Sequence, residues 1–456
     1  MTAHQPEVDV DVIVVGAGGG GLTAALAVAD AGHSVVVLEK LERSGGNSAL
    51  STGSIPAAGS RLQREAGIDD DPDRMVADLM RQSGPHEAED LTRRLAETSA
   101  DLVDWLVDEH GIRLALITDY KHVGHSVNRL HAPASRKGQD LVDDLLAACA
   151  SAGVDVLVGN PVTGLVIEDG AVHGVVVEGE RVDRYELRSR AVILASNGFA
   201  ANKDLIERWI PELVDVEYFG AHGSTGEALE WGLELGGYLL NEQAYQGYAA
   251  VAYPHGSILS WTTVEKGAVL VDSTGRRMGD ETVGYSGFTA EVLQGQPPVY
   301  VIYDARIKAV AERELEFAEL VEMGGAREFA SIEEMADGLD MDAGALTATL
   351  EAYSAAANGR APDPFGRTEF ALAPLEASYV ASRVTPGLFH TQGGLAVDLE
   401  GRVLRADGDP IPGLFAVGGV APGVSGREGG RGYSSGNGLL AAVGLGRLAG
   451  QAAAAS

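Results

Sequence analysis

The sequence predicts an α/β chain: a parallel sheet flanked by helices, with a separate α+β domain that has its own core. Three observations carry this. The chain opens on a strand, a glycine turn, a helix and a second strand; its character changes between about residues 241 and 384; and it returns near its end to a buried strand followed by a helix.

The elements follow in order. Residues 9–15 (DVDVIVV) read as a short buried strand, and the glycine run leads into LTAALAVADAG, whose apolar spacing is helical and stops at Gly32. SVVVLEK is a second β-branched strand, completing the opening βαβ of a dinucleotide-binding, Rossmann-like fold. Two helical stretches occupy about 70–110 and 136–152, and VDVLVGNPVTGLVIEDGAVHGVVVEG reads as a β-meander. RAVILASNGFAAN is another buried strand running into a glycine turn. GAVLVDSTGRRM, PPVYVIYDA and several short helices form the middle domain. GGLAVDLEGRVLRADGDPIPGLFAVGGV returns to hairpins and a buried strand, and GLLAAVGLGRLAGQAAAA is a closing helix whose Ala-rich tail reads as a fraying end.

At 456 residues the chain exceeds one hydrophobic core, so two or more domains are expected. The 60 glycines show no collagen-like period and fit tight turns and close backbone approach to a ligand. A formal charge of −32 argues against nucleic acid and an anionic membrane surface as partners. Cys149 is the single cysteine; it excludes a disulfide framework and a Cys-ligated iron–sulfur cluster, and within LLAACASAG it reads as a small buried hydrophobe. The polar start MTAHQPEVDVD has no apolar core segment, and no apolar stretch approaches spanning length, so a cytoplasmic location and no membrane span are expected.

Gly16, Gly18 and Gly21 occupy the three positions of GxGxxG around Ala17. The first permits the tight turn, the second admits a pyrophosphate, and the third lets helix and strand pack. The pyrophosphate then meets the free N–H groups and positive dipole end of the helix. Glu39 ends the second strand, roughly 20 residues on, where an acid takes the ribose hydroxyls, with Lys40 beside it. This pattern alone does not separate FAD from NAD.

The separation comes from further segments. Ser44-Gly45-Gly46-Asn47-Ser48-Ala49-Leu50-Ser51 resembles the GGN(S/T) loop of the fumarate reductase and 3-ketosteroid dehydrogenase flavoproteins. Ser196, Asn197 and Gly198 fall in a segment similar to the family's ATGGF turn, and Ser224-Thr225-Gly226-Glu227 is similar to its TGDG turn. His390-Thr391-Gln392-Gly393-Gly394 resembles HTxGG. Gly418 and Gly419 end a strand similar to GLYAAGE, and Asn437, Gly438, Leu439 and Leu440 open a helix similar to its closing helix. The order is the family's along the whole chain. The resemblance implies FAD held by these residues and by Val162, in a domain assembled from 1–240 and 385–456. It implies a capping domain at 241–384 and an active site over the flavin where the two meet. FAD is expected to be non-covalent, because GGNSALSTGSIPA lacks the linking histidine of succinate dehydrogenases.

The departures from fumarate reductases bear on the substrate. Those enzymes clamp a dicarboxylate with arginines and histidines. After the matching segment Gly275–Glu281, their proton-donor arginine falls on Tyr285, and a second clamp histidine falls near Tyr248. Counting back from Asn437, their second arginine falls on Tyr433. Counting forward from Gly418-Gly419 it falls on Gly429, leaving Arg427 or Arg431 to replace the clamp. An arginine fork suits a carboxylate, whereas a phenol donates one neutral hydrogen bond, which suits a ketone. Tyr433-Ser434-Ser435 is similar to the tyrosine–x–serine element of 3-ketosteroid Δ4-dehydrogenases, and Tyr285 to their capping-domain tyrosine.

The resemblance therefore implies a desaturase acting α,β to the carbonyl of a cyclic ketone, either a 3-ketosteroid or an oxo-cyclohexane carboxylate. Tyr433, or backbone N–H groups near Gly436, would hold the ketone oxygen, and Ser435 and Tyr285 would accept or relay the α-proton. His390 would bind a carboxylate or orient a tyrosine. An electron acceptor outside the chain is expected. Two alternatives stay open: a reductase of an unsaturated carboxylate such as fumarate or urocanate, and a protein in which FAD is structural only. Each tyrosine also has a packing role open to it. His122, His125, His131 and His222 form no metal-ligand motif and are assigned surface or structural roles.

Overall fold

The computed structural model describes residues 8–119 and 121–456. Residues 1–7, which hold most of the polar start considered above, and residue 120 lie outside the described residues. The chain divides into two units, one of residues 1–214, 220–245 and 390–456, the other of 215–219 and 246–389. Two of the cuts fall inside long strands, Gln243–Ala252 and Tyr379–Thr391.

The first unit is built on a six-stranded sheet. Its order is Arg402–Leu404, Pro410–Ala416, Ala191–Leu194, Val12–Val15, Val35–Leu38 and Asp155–Leu157. All pairs are parallel except the edge pair of Arg402–Leu404 with Pro410–Ala416. The strands Val12–Val15, Val35–Leu38 and Ala191–Leu194 are buried throughout, as parallel strands covered on both faces must be. Asp155–Leu157 was expected in the meander. It instead follows the helix Gly138–Ser151 and pairs with Val35–Leu38, completing a crossover, so the meander begins at Val162 and runs through Val162–Glu168, Ala171–Gly179 and Val182–Arg188.

The first helix, Gly19–Asp30, stops where expected: Gly32 takes φ 82° and its N–H returns to Ala29 O. It is apolar almost all round because the closing helix covers it. Gly446 and Gly450, one turn apart, let the closing helix backbone press against Gly20 and Ala24, where a Cβ would collide. The Ala-rich tail does not fray, since Ala452, Ala453 and Ala454 are buried. Cys149 is buried as expected, its Sγ 3.6 Å from Leu22 O, and burial pushes its thiol up to about 12.

The second unit is centred on strands Val269–Val271, Val299–Asp304, Tyr379–Thr391 and Gln243–Ala252 in that order. Its sheet is buried on both faces. Val299, Val301 and Tyr303 enter one apolar cluster, and Tyr300 and Ile302 enter the other, as the two-residue period of a strand requires. The Gly275–Glu281 segment is locked in this unit by ions: buried Glu281 accepts from both Arg277 and Arg367, and Arg277 also reaches Asp363. No helix among the described residues is long and apolar enough to cross a membrane.

Candidate functional site

The first strand ends in a cradle. Gly16 has φ 110°, and its N–H donates to Leu38 O at 2.8 Å. Ala17 N–H donates to Glu39 Oε2 at 2.9 Å, and Leu41 N–H to Oε1 at 2.9 Å, which fixes the acid at the end of the second strand. Ser48 Oγ accepts from Gly19 N–H at 3.0 Å, and Gly45 N–H donates to Ala17 O at 2.9 Å, so the Ser44–Ser51 loop is stitched to the helix start. Ser51 continues this stitching: its Oγ donates to Ser48 O, and its carbonyl accepts from Gly138 N–H. Asn47 Oδ1 accepts from Ala221 N–H at 2.6 Å.

The glycines separate into two kinds. An added Cβ at Gly16 would lie 2.5 Å from Ala195 O, and one at Gly21 would collide with Gly16 O, so the fold itself demands glycine there. At Gly18 the nearest protein atom to a Cβ is 3.7 Å away, and the backbone, φ −82° and ψ −179°, is open to any residue. At Gly438 nothing lies within 4 Å. Neither backbone nor packing explains glycine at these two places. Space for a ligand at the positive end of a helix does, and that is the space a pyrophosphate needs. The residues present therefore fit FAD.

Lys40 Nζ donates to Thr225 Oγ1 at 2.6 Å and pairs with Glu227 at 2.9 Å, tying the second strand's end to the TGDG-like turn. Val162 starts the meander just beyond Asn160, whose N–H donates to Glu39 O at 2.9 Å, so this stretch runs beside the acid at the end of the second strand.

A second group forms where Ala191–Leu194 and Pro410–Ala416 end side by side. Asn197, at φ 70°, donates through Nδ2 to Ser224 Oγ at 2.7 Å and presents Oδ1 to His390 Nε2 at 2.9 Å. Gly419 packs on Asn197 and Gly198 so closely that a Cβ would collide, while Gly418, at φ 59°, leads in from Val417, whose N–H donates to Leu194 O. Thr391 Oγ1 accepts from Phe199 N–H at 3.2 Å, a role not read from the sequence. Burial holds His390 down to about 4, so its ring is neutral. With Nε2–H donating to Asn197 Oδ1, its Nδ1 keeps a lone pair, and no described residue partners that buried nitrogen. A neutral ring with an accepting nitrogen suits a hydroxyl donor better than a carboxylate.

The segment before the closing helix holds the third group. Tyr433, Ser434 and Ser435 are buried, Gly436 takes φ 79°, and Asn437 bridges Ser425 Oγ and Gly438 N–H. Leu439 and Leu440 are buried behind it. The arginines differ: Arg427 is 62% exposed and engages Glu87 through two nitrogens, at 2.9 and 2.5 Å, and Arg431 is exposed. Tyr433 is only 8% exposed.

In the second unit Tyr248 stacks on Tyr285, ring centroids 4.9 Å apart, and on Phe389 at 5.5 Å. The Tyr248 hydroxyl donates to Leu259 O at 2.9 Å, so its proton is taken by the backbone, and burial raises its pKa. Tyr285 lies on the short helix Gly284–Gly287 and is half-buried. His125 and His131, expected as surface or structural groups, are both buried and bonded, His131 to Ser60 Oγ at 2.8 Å. Among the described residues no cluster of His, Cys, Asp or Glu could hold a metal ion.

Residues 11–435 match the FAD binding domain family. The chain is 30% identical over 437 residues to the NADH:fumarate oxidoreductase of Klebsiella pneumoniae (strain 342), covering 95% of this chain but only 46% of that one. It is 31% identical over 439 residues to the probable fumarate reductase Ifc3 of Shewanella frigidimarina (strain NCIMB 400), covering 94% and 72%. Among solved structures it is similar to the 3-ketosteroid-Δ4-(5α)-dehydrogenase of Rhodococcus jostii RHA1, with a TM-score of 0.81, 25% identity and 99% of each chain covered. The chain belongs to the FAD binding domain family, as an FAD-dependent oxidoreductase of the fumarate reductase group.

Proposed function

We propose that the chain desaturates a cyclic ketone α,β to its carbonyl, the candidates being a 3-ketosteroid and a smaller oxo-cyclohexane carboxylate. One observation carries the reading: the buried residue before the closing helix is Tyr433, whereas Arg427 and Arg431 are exposed and Arg427 is held by Glu87. A carboxylate clamp needs a desolvated arginine fork, and neither arginine supplies one in this arrangement. The similarity to a 3-ketosteroid-Δ4-dehydrogenase over 99% of the chain supports the same reading.

FAD, bound without a covalent link, supplies the hydride acceptor, and the protein supplies position and polarity. Tyr433 O–H donates to the ketone oxygen and stabilises the enolate charge as the α-proton leaves. Ser435 and Tyr285 are the proposed acceptors or relays of that proton; an ordinary tyrosine titrates near ~10, so a relay serves better than a lone phenol. The substrate loses a proton from one carbon and a hydride from its neighbour, and the C=C bond forms between them. The two electrons leave to an acceptor outside this chain.

The reverse chemistry, reduction of an unsaturated carboxylate, is favoured by the identity to fumarate reductases. The variant Tyr433→Phe separates the two. The ketone reading expects it to keep its flavin and lose about 10²- to 10³-fold in the rate of flavin reduction. An unchanged rate would refute the role of Tyr433.

A further inference from the structure

The loop before Arg129 lies against the Tyr433–Gly436 segment and holds it from both sides. Ser435 N–H donates to Val123 O at 3.0 Å, and the Ser435 carbonyl faces His125 Nε2 at 2.8 Å. Between these bonds Gly124, at φ 83°, packs so tightly that an added Cβ would lie 2.7 Å from Ser434 Cβ and 3.0 Å from its Cα.

The other imidazole nitrogen settles the proton's place. His125 Nδ1 lies 3.3 Å from Arg129 Nη1. A guanidinium only donates, so Nδ1 accepts, and Nε2 must carry the hydrogen that the Ser435 carbonyl receives. Arg129 cannot turn away. Its side chain is fully buried, Asp70 accepts from it at 2.8 and 2.9 Å, and Asp78 accepts at 2.8 Å. Asp78 also accepts from Ser126 N–H at 2.8 Å, which anchors the same loop. Burial holds His125 down to about 4, keeping the ring neutral. Buried ion groups of this kind contribute little net stability, but they do fix orientation.

We propose that His125, held in its Nε2–H tautomer by Arg129, is a positioning residue that sets the Ser435 backbone and with it the Tyr433 and Ser435 side chains. This role presupposes that Tyr433 and Ser435 face the substrate, as in the proposed reaction.

Two measurements on the holoenzyme test it. In protein labelled with ¹⁵N-histidine, the resonances lost in His125→Gln should be those of a neutral Nε2–H ring at pH 7. An Nδ1–H ring or an imidazolium there overturns the assignment. Rapid anaerobic mixing then compares wild type, His125→Gln and His125→Ala. The probes are 3-ketosteroids and 4-oxocyclohexane carboxylate for the oxidised flavin, and fumarate and urocanate for the reduced flavin. The glutamine amide keeps a donor near the Nε2 position, and alanine removes it. Alanine should slow the half-reaction by about 10- to 100-fold, with little change in the substrate concentration at half-saturation, and glutamine should recover most of the rate. An active wild type with an unaffected alanine variant, or equal loss in both variants, overturns the positioning role alone. A wild type silent with every probe overturns the functional reading, and the positioning role falls with it.

Discussion

The two kinds of glycine in the cradle make a sharp prediction. At Gly18 an added methyl meets only Gly45 O at 3.7 Å and Ser48 Oγ at 3.9 Å, both ordinary contacts, and the backbone conformation suits alanine. Gly18→Ala should therefore fold. The gain from a less flexible unfolded chain, about 0.4–1 kcal/mol, roughly offsets the poorer helix cap that alanine makes. The methyl would occupy the space left for the pyrophosphate. Overpacking of that order costs about 1–3 kcal/mol, which at about 1.4 kcal/mol per tenfold weakens FAD binding by about 5- to 150-fold. Gly21→Ala drives its methyl into Gly16 O and should destabilise the apoprotein itself. Urea unfolding of both apoproteins and FAD titration by fluorescence separate the two effects. If Gly18→Ala bound FAD as tightly as wild type, or lost as much apoprotein stability as Gly21→Ala, the assignment of this space to the cofactor would be wrong.

Three further outcomes follow from the same structure. Arg427→Ala removes only an exposed ion pair with Glu87, worth at most about 1 kcal/mol, so turnover should change less than about twofold; a loss beyond tenfold would restore the carboxylate clamp. His125, His131 and His390 are held near 4 by burial, below the ~6.5 of an unfolded histidine, so the unfolded chain binds more protons between those values. Stability is then full above pH 6.5 and falls as the pH drops towards 4, by up to about 3 kcal/mol for each ring; melting temperatures that stay flat from pH 7 to 5 would contradict this. Cys149, with its thiol pushed up to about 12, should resist maleimide in the native protein at pH 7 and react once unfolded; rapid native labelling would contradict its burial.

Local chemistry made much of this legible in the sequence. The βαβ opening follows from β-branched strands around a glycine turn. The acid at Glu39 sits where strand geometry must put it. Less legible were features set by distant partners. Asp155–Leu157 looks like a meander strand until the preceding helix carries it to the main sheet. The alanine tail looks exposed until its burial is seen. The proposed preference for Tyr433 over the two arginines rests on which side chain is buried, which motif counting cannot show when a loop carries extra residues. His125 was invisible as a site residue because its partners, Arg129 and the Ser435 carbonyl, include one more than three hundred positions away.

The most direct test of the proposed reaction is anaerobic mixing of oxidised holoenzyme with a panel of 3-ketosteroids and 4-oxocyclohexane carboxylate while the visible flavin band is recorded. Desaturation predicts that one of these ketones bleaches the band and emerges with a new C=C bond beside its carbonyl. If every ketone leaves the band intact, and the chemically reduced enzyme is instead reoxidised by fumarate or urocanate, the tyrosine reading is contradicted and reduction of an unsaturated carboxylate takes its place.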